Sequence, residues 1–374
     1  MTRREWIGGA AAAIVARAQS GGALYAYVGC FTSPQRYARG DGIHVYRVDR
    51  ESGQWSHLQH VPDLVNPSFL VANRQGTALY SVHADETYAT AFAIDRATGR
   101  LTLINRAPSG GRNGVHQAID PSGKFLVVAN YGAGNVGVLP IRADGGLDDA
   151  TEVVALPGQP GPHRVEQSSS HPHQIVFDPS GKFVVAPDKG LDRIFVFAFD
   201  PVKGKLTPTA QGAGVARTGS GPRHAAFSPT RAVLWVLNEI SSTVSTWQWD
   251  SERGHMRPVQ ILSTLPAEYT GENTASEIVV ARTGKTVYCS NRGHDSICAF
   301  AADPETGLLS TPVWSSTNGR TPRFMGFDPA ERFLYAANEQ SDNIVSFRPN
   351  AKGLAPGGQT IRTPSPSTIA FVAI

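Results

Sequence analysis

Charge is scarce in this sequence and almost balanced. Asp, Glu, Lys and Arg make up 17% of the 374 residues, the formal net charge is +3, and beyond the first residues no Lys/Arg-rich run occurs. So small a surplus with no basic patch excludes a dedicated nucleic-acid binder. Cysteine is nearly absent, with 3 in the chain, so the fold does not rest on a disulfide framework. The apolar stretch Gly8 to Ala16 is far shorter than the ~20 residues that span a bilayer, so no stable membrane anchoring is expected. What is abundant is Gly (38) and Pro (26), with 41% hydrophobic residues. No collagen-like period is present and the apolar content is too high for disorder, which leaves a turn-rich β protein.

Thr2-Arg3-Arg4-Glu5-Trp6-Ile7 sets paired arginines before that small-residue stretch, and Ala16-Arg17-Ala18 offers a small-x-small cleavage pattern. Residues 1–18 therefore read as a twin-arginine leader, giving periplasmic or exported protein, with a cytoplasmic, unprocessed tail as the alternative. Residues 19–374 read as one domain.

Within that domain one unit returns seven times. A strand, a turn often written Asp-Pro-x-Gly, and a second strand occur as His116 to Asn130 around Asp120-Pro121-Ser122-Gly123, as His173 to Asp188 around Asp178-Pro179-Ser180-Gly181 and as His224 to Glu239 around Ser228-Pro229, with weaker copies around Gly76, Gly284 and Asp328-Pro329. Third strands follow, ending at Asp49, Asp95, Arg142, Asp200, Asp250, Asp303 and Asn350, and the long spacing before Asp200 reflects an insertion at Pro162 to Ser170 that is expected to be mobile chain beside His173. Repeats of roughly 40–50 residues with four short strands predict propeller blades. The last residues, Thr368 to Ile374, match only a first strand, and Leu24 to Gly29 match a second. The expected fold is thus all-β: a seven-bladed β-propeller of four-stranded antiparallel blades, its closure blade shared between N- and C-terminal strands.

In such a blade the Asp-Pro-x-Gly turns lie on one face, and the loops entering first strands and leaving second strands lie on the other. The second face collects the unusual residues: His171, His173, Arg223, His224, Glu239, Asn291 and Arg292. His173 can act as a general base, since an imidazole near its normal pKa is usable at neutral pH. Arg223 and Arg292 can hold an anionic group or an oxyanion, and Glu239 can hold an arginine or water in register. His224, His171 and Asn291 complete the expected substrate-binding ring. Gly132-Ala133-Gly134 lies between strands with no helix after it, so it is no phosphate loop. Histidines are scattered and no Asp/Glu cluster has calcium-loop spacing, so neither metal nor organic cofactor is expected. Cys289 and Cys298 fall opposite each other on neighbouring strands and are expected to be free thiols, because a cross-strand disulfide is strained.

The segments Asn130-Tyr131-Gly132-Ala133-Gly134-Asn135-Val136, Gly221-Pro222-Arg223-His224, Asn238-Glu239, Gly271-Glu272-Asn273-Thr274, Ser290 to Ile297 and Ala337 to Ile344 resemble those of the seven-bladed 6-phosphogluconolactonase family, which is similar to fungal carboxymuconate-lactonizing enzymes. By that resemblance His173, Arg223, Glu239 and Arg292 match active-site positions. The resemblance implies hydrolysis of 6-phospho-D-glucono-1,5-lactone or a related sugar lactone without a cofactor, and the chain is expected to be a monomer. The alternatives are a cycloisomerase or lyase acting on a muconate-like dicarboxylate, and a non-catalytic binding propeller.

Overall fold

The computed structural model describes residues 22–310, 312–350 and 353–374. The leader expected over residues 1–18 lies outside them. The described chain forms seven four-stranded antiparallel sheets arranged as blades. The ring closes as expected: the C-terminal strand Pro366–Ala373 is innermost in the closure blade, pairing Leu24 with Ala373 and Tyr27 with Ala370. Leu24–Cys30, Ile43–Val48 and Trp55–Val61 complete that blade.

The core lies between blades. Seven clusters of buried apolar side chains each span one pair of neighbouring blades, such as Val233, Trp235 and Leu237 of the fourth blade against Val287, Cys289 and Phe300 of the fifth. The strands are short, β-branched and aromatic, and alternate their side chains toward the two neighbouring blades. The Asp-Pro turns are tied by their own carboxylates: Asp120 accepts from the amides of Lys124 and Phe125, both at 2.8 Å. At Gly99 the backbone takes φ +73° and presses so close to the Tyr25 ring that a Cβ would collide with it. Such a turn tolerates little but glycine.

Two expectations need correction. The third blade's innermost strand, expected from His173 onward, is only Val176–Phe177. Its backbone is diverted sideways: the Ile175 amide donates to Nδ1 of His116 in the second blade, while the Gln174 side chain accepts from the Ala225 amide in the fourth. The insertion at 162–170, expected to be mobile, is fastened instead. Gln167 is buried and donates to the Lys189 carbonyl and the Asp192 carboxylate, and the Ser170 hydroxyl donates to Asp188.

Candidate active site

Where innermost strands begin, the ladder slips by one residue again and again. Register shifts fall between Pro67 and Phe69, Gly114 and His116, Pro222 and His224, and Pro322 and Phe324. A bulge leaves one residue unpaired and re-aims it, so neighbouring residues that a regular strand would send to opposite faces can share one. Ser68 with Phe69, Arg223 with His224, and Arg323 with Phe324 accordingly line the same axial cavity, together with His173, Glu277, Phe31 and Arg36. Water-sized space among these side chains amounts to about 20 Å³. That is room for about one water.

On the cavity wall three residues form a hydrogen-bonded chain. His173 Nδ1 lies 3.2 Å from His224 Nε2, and His224 Nδ1 lies 2.7 Å from Glu277 Oε1. All three are buried. Burial drives both imidazoles well below their usual pKa, aided by the Arg223 charge, so both are neutral near pH 7. Burial also pushes the Glu277 carboxyl up to about 8 despite the opposing pull of Arg223. With Nδ1 of His173 engaged, its Nε2 is the ring nitrogen left for substrate.

Behind this wall stands a buried charge cluster. Glu239 Oε1 is 2.9 Å from Lys189 Nζ and 3.3 Å from Arg292 Nη2, and its Oε2 is 2.8 Å from Arg223 Nε. The Arg223 contact is an ion pair whose N–H is not aligned on the oxygen. Burial alone would raise the Glu239 pKa, but Arg292, Lys189 and Arg223 together hold it far below the usual carboxylate range. Lys189 also meets Glu166 of the insertion at 2.5 Å. Arg223, lowered to about 9 by burial, stays largely cationic at neutral pH and donates to the Ser276 carbonyl. At the mouth the guanidinium groups of Arg36 and Arg323 stack on the Phe31 ring, 4.9 and 4.7 Å from its centroid.

Of the residues expected from sequence, His173, Arg223 and His224 line the cavity, and Glu239 and Arg292 brace Arg223 from behind. His171 stands beside them, stacked on Tyr131 at 4.3 Å. Asn291 does not join them. It is fully buried, and its amide is spent on Thr264, Ser296 and Asn273, which makes it a brace at a strand end. Sequence reasoning missed Glu277, hidden in the apolar run Thr274–Val280, and Arg36 and Phe31 in the loop after Leu24–Cys30. A carboxylate in an inward-facing strand was the available signal for Glu277.

The model of the family described as lactonase, 7-bladed beta-propeller, matches residues 25–371. The chain is 34% identical over 323 residues to a 6-phosphogluconolactonase of Bacillus subtilis, covering 86% of this chain and 90% of that one. A 6-phosphogluconolactonase of Formosa agariphila is 32% identical, with 86% and 91% covered. The solved structure of the periplasmic gluconolactonase of Pseudomonas aeruginosa superposes with a TM-score of 0.87 at 30% identity, over 94% of this chain and 99% of that one.

Proposed function

The chain belongs to the seven-bladed β-propeller lactonase family, and from that membership we propose that it hydrolyses the ring ester of a sugar 1,5-lactone, with 6-phospho-D-glucono-1,5-lactone as substrate and 6-phospho-D-gluconate as product. The observation that carries this reading is His173: a neutral imidazole in the cavity wall, beside an arginine and backed by a carboxyl-terminated relay.

The sugar ring sits above these side chains with its carbonyl toward the histidines, because the cavity between them has room for about one water. His173 Nε2 takes a proton from that water as its oxygen attacks the carbonyl carbon. Arg223 stabilises the oxyanion that develops in the buried site. Collapse of the tetrahedral intermediate breaks the carbon–ring oxygen bond, and His173 returns its proton to the departing alkoxide. The free acid then ionises, releasing one proton per turnover.

The direction of the relay depends on Glu277. Ionised, it accepts from His224 Nδ1–H, and His224 Nε2 accepts from His173 Nδ1–H, leaving a lone pair on His173 Nε2. Protonated, it donates instead, the chain reverses, and His173 Nε2 carries a hydrogen. Base catalysis belongs to the first state. Arg36 and Arg323, flanking Phe31, hold the anionic substituent, while Arg292 supports Glu239 rather than touching substrate.

The test is a parallel assay of the phosphorylated and unphosphorylated gluconolactones, with carboxymuconate as a third substrate. The phosphorylated lactone should have the higher kcat/KM, and Arg323→Ala should erase roughly 10-fold of that preference, as expected for loss of one charge-assisted contact. Equal rates on both lactones, unchanged in their ratio by Arg323→Ala, would replace the phosphorylated substrate with a neutral one. Lactone formation from carboxymuconate without sugar-lactone hydrolysis would overturn the reaction. We propose export as well, supported by the leader pattern at residues 1–18 and by the Pseudomonas relative that is named periplasmic. Mature protein beginning after Ala18 would agree with it, and full-length chain confined to the cytoplasm would not.

A further inference from the structure

Outside the channel, the outer strands of the closure blade gather three histidines that are scattered in sequence. His44 lies directly opposite His60 in the pairing of Ile43–Val48 with Trp55–Val61. A bulge in the same pair shifts the register, so that Val45 faces Gln59 while Tyr46 faces His57. Leu58 is the extra residue. In an unbulged strand residues three apart, such as His57 and His60, point to opposite faces of the sheet; the bulge brings both round to His44. The His44 and His60 rings stack with centroids 4.8 Å apart and planes 11° apart.

Asp41 supplies a third donor. Its Oδ1 is 2.7 Å from His44 Nε2 and its Oδ2 is 3.3 Å from His60 Nε2. One ligand atom from each residue lies within 4.8 Å of the others. A four-coordinate zinc with bonds of about 2.0–2.1 Å holds its donors about 3.3 Å apart, so the cluster needs a small rearrangement in which the 2.7 Å contact opens and the widest spacing, at most 4.8 Å, closes. The side chains of Asp41 and His60 are 52% and 34% exposed and free to make it. His57 Nε2 meets the other nitrogen of His44 at 3.1 Å, the outer hydrogen bond that orients a ligating imidazole.

We propose that Asp41, His44 and His60 form a binding site for a divalent transition-metal ion of the zinc class, with His57 orienting His44 and solvent completing the coordination. Imidazole and carboxylate donors suit zinc better than magnesium or calcium, which favour all-oxygen shells. The ion bridges the two outer strands to Asp41, and so pins the far end of the segment that begins at Phe31 and carries Arg36 to the channel mouth.

The site is read without reference to lactone hydrolysis, and its test measures binding alone. Full-length, tag-free chain is dialysed to equilibrium against Zn²⁺ and its metal content measured. One ion per chain is expected, with affinity falling at least 10-fold in His60→Ala and in His57→Ala, the latter in keeping with the roughly 10–100-fold cost of losing an orienting partner. X-ray absorption at the zinc edge of the wild-type protein should show imidazole scattering from two ligands. Affinity unchanged in His60→Ala, no zinc retained by the wild-type chain, or an edge spectrum without imidazole would each overturn the proposal.

Discussion

At the scale of single residues, the behaviour of the site turns on a carboxyl group with no chemistry of its own to perform. Glu277 is buried against His224, and burial keeps its proton on up to about pH 8. In the unfolded chain the same group loses it near the ordinary carboxylate pKa. Its contribution to stability is therefore fully present below that range and is lost as pH rises to about 8. In the proposed mechanism activity moves the opposite way, because only ionised Glu277 leaves a lone pair on His173 Nε2. After subtraction of spontaneous ring opening, kcat/KM should climb through an apparent pKa near 8. Glu277→Gln should abolish that limb and lower the plateau by roughly 10-fold, at the weak end of what general-base catalysis supplies. The same limb in Glu277→Gln would show that another group titrates. His173, Arg223 and Glu239 were legible as unusual residues at loop positions, whereas Glu277 was not, because its strand Thr274–Val280 reads as an ordinary buried strand.

At the scale of elements, period and turn chemistry carried most of the reading. The third strands, the Asp-Pro turns and the split closure blade were all visible, since each depends on local residue choice. Bulges were not visible. They place Arg223 beside His224 and Arg323 beside Phe324 on the cavity wall, and they arise from packing around the axis, where seven strands converge. The shortened strand Val176–Phe177 has the same origin, as the amide of Ile175 just before it is taken by His116 of the neighbouring blade. Simple register was easier to read: Cys289 faces Cys298, as expected, and both are free, buried thiols. Burial raises both thiol pKa values, which suppresses the reactive thiolate. Folded protein should thus resist alkylation, and protein denatured without reductant should take up three labels, counting Cys30. A single label would reveal a disulfide between the paired strands.

At the scale of the molecule, the candidate site exists only because the ring closes. His173 enters from the third blade, Arg223 and His224 from the fourth, Glu277 from the fifth, Arg323 from the sixth, and Phe31 and Arg36 from the closure blade. No blade holds the cavity by itself, and the seven interblade cores set the spacing among these groups. This division explains why fold and site were unequally legible. Repetition along the chain announces the propeller, but contacts across its axis join residues from distant repeats and leave no mark in spacing. The most direct test of the account follows proton release from 6-phospho-D-glucono-1,5-lactone in a pH-stat, comparing wild type with His173→Ala and subtracting spontaneous opening. The account predicts enzyme-dependent acid release that falls at least 10-fold in the variant, again the low end for a lost general base. Turnover unchanged in His173→Ala would contradict it.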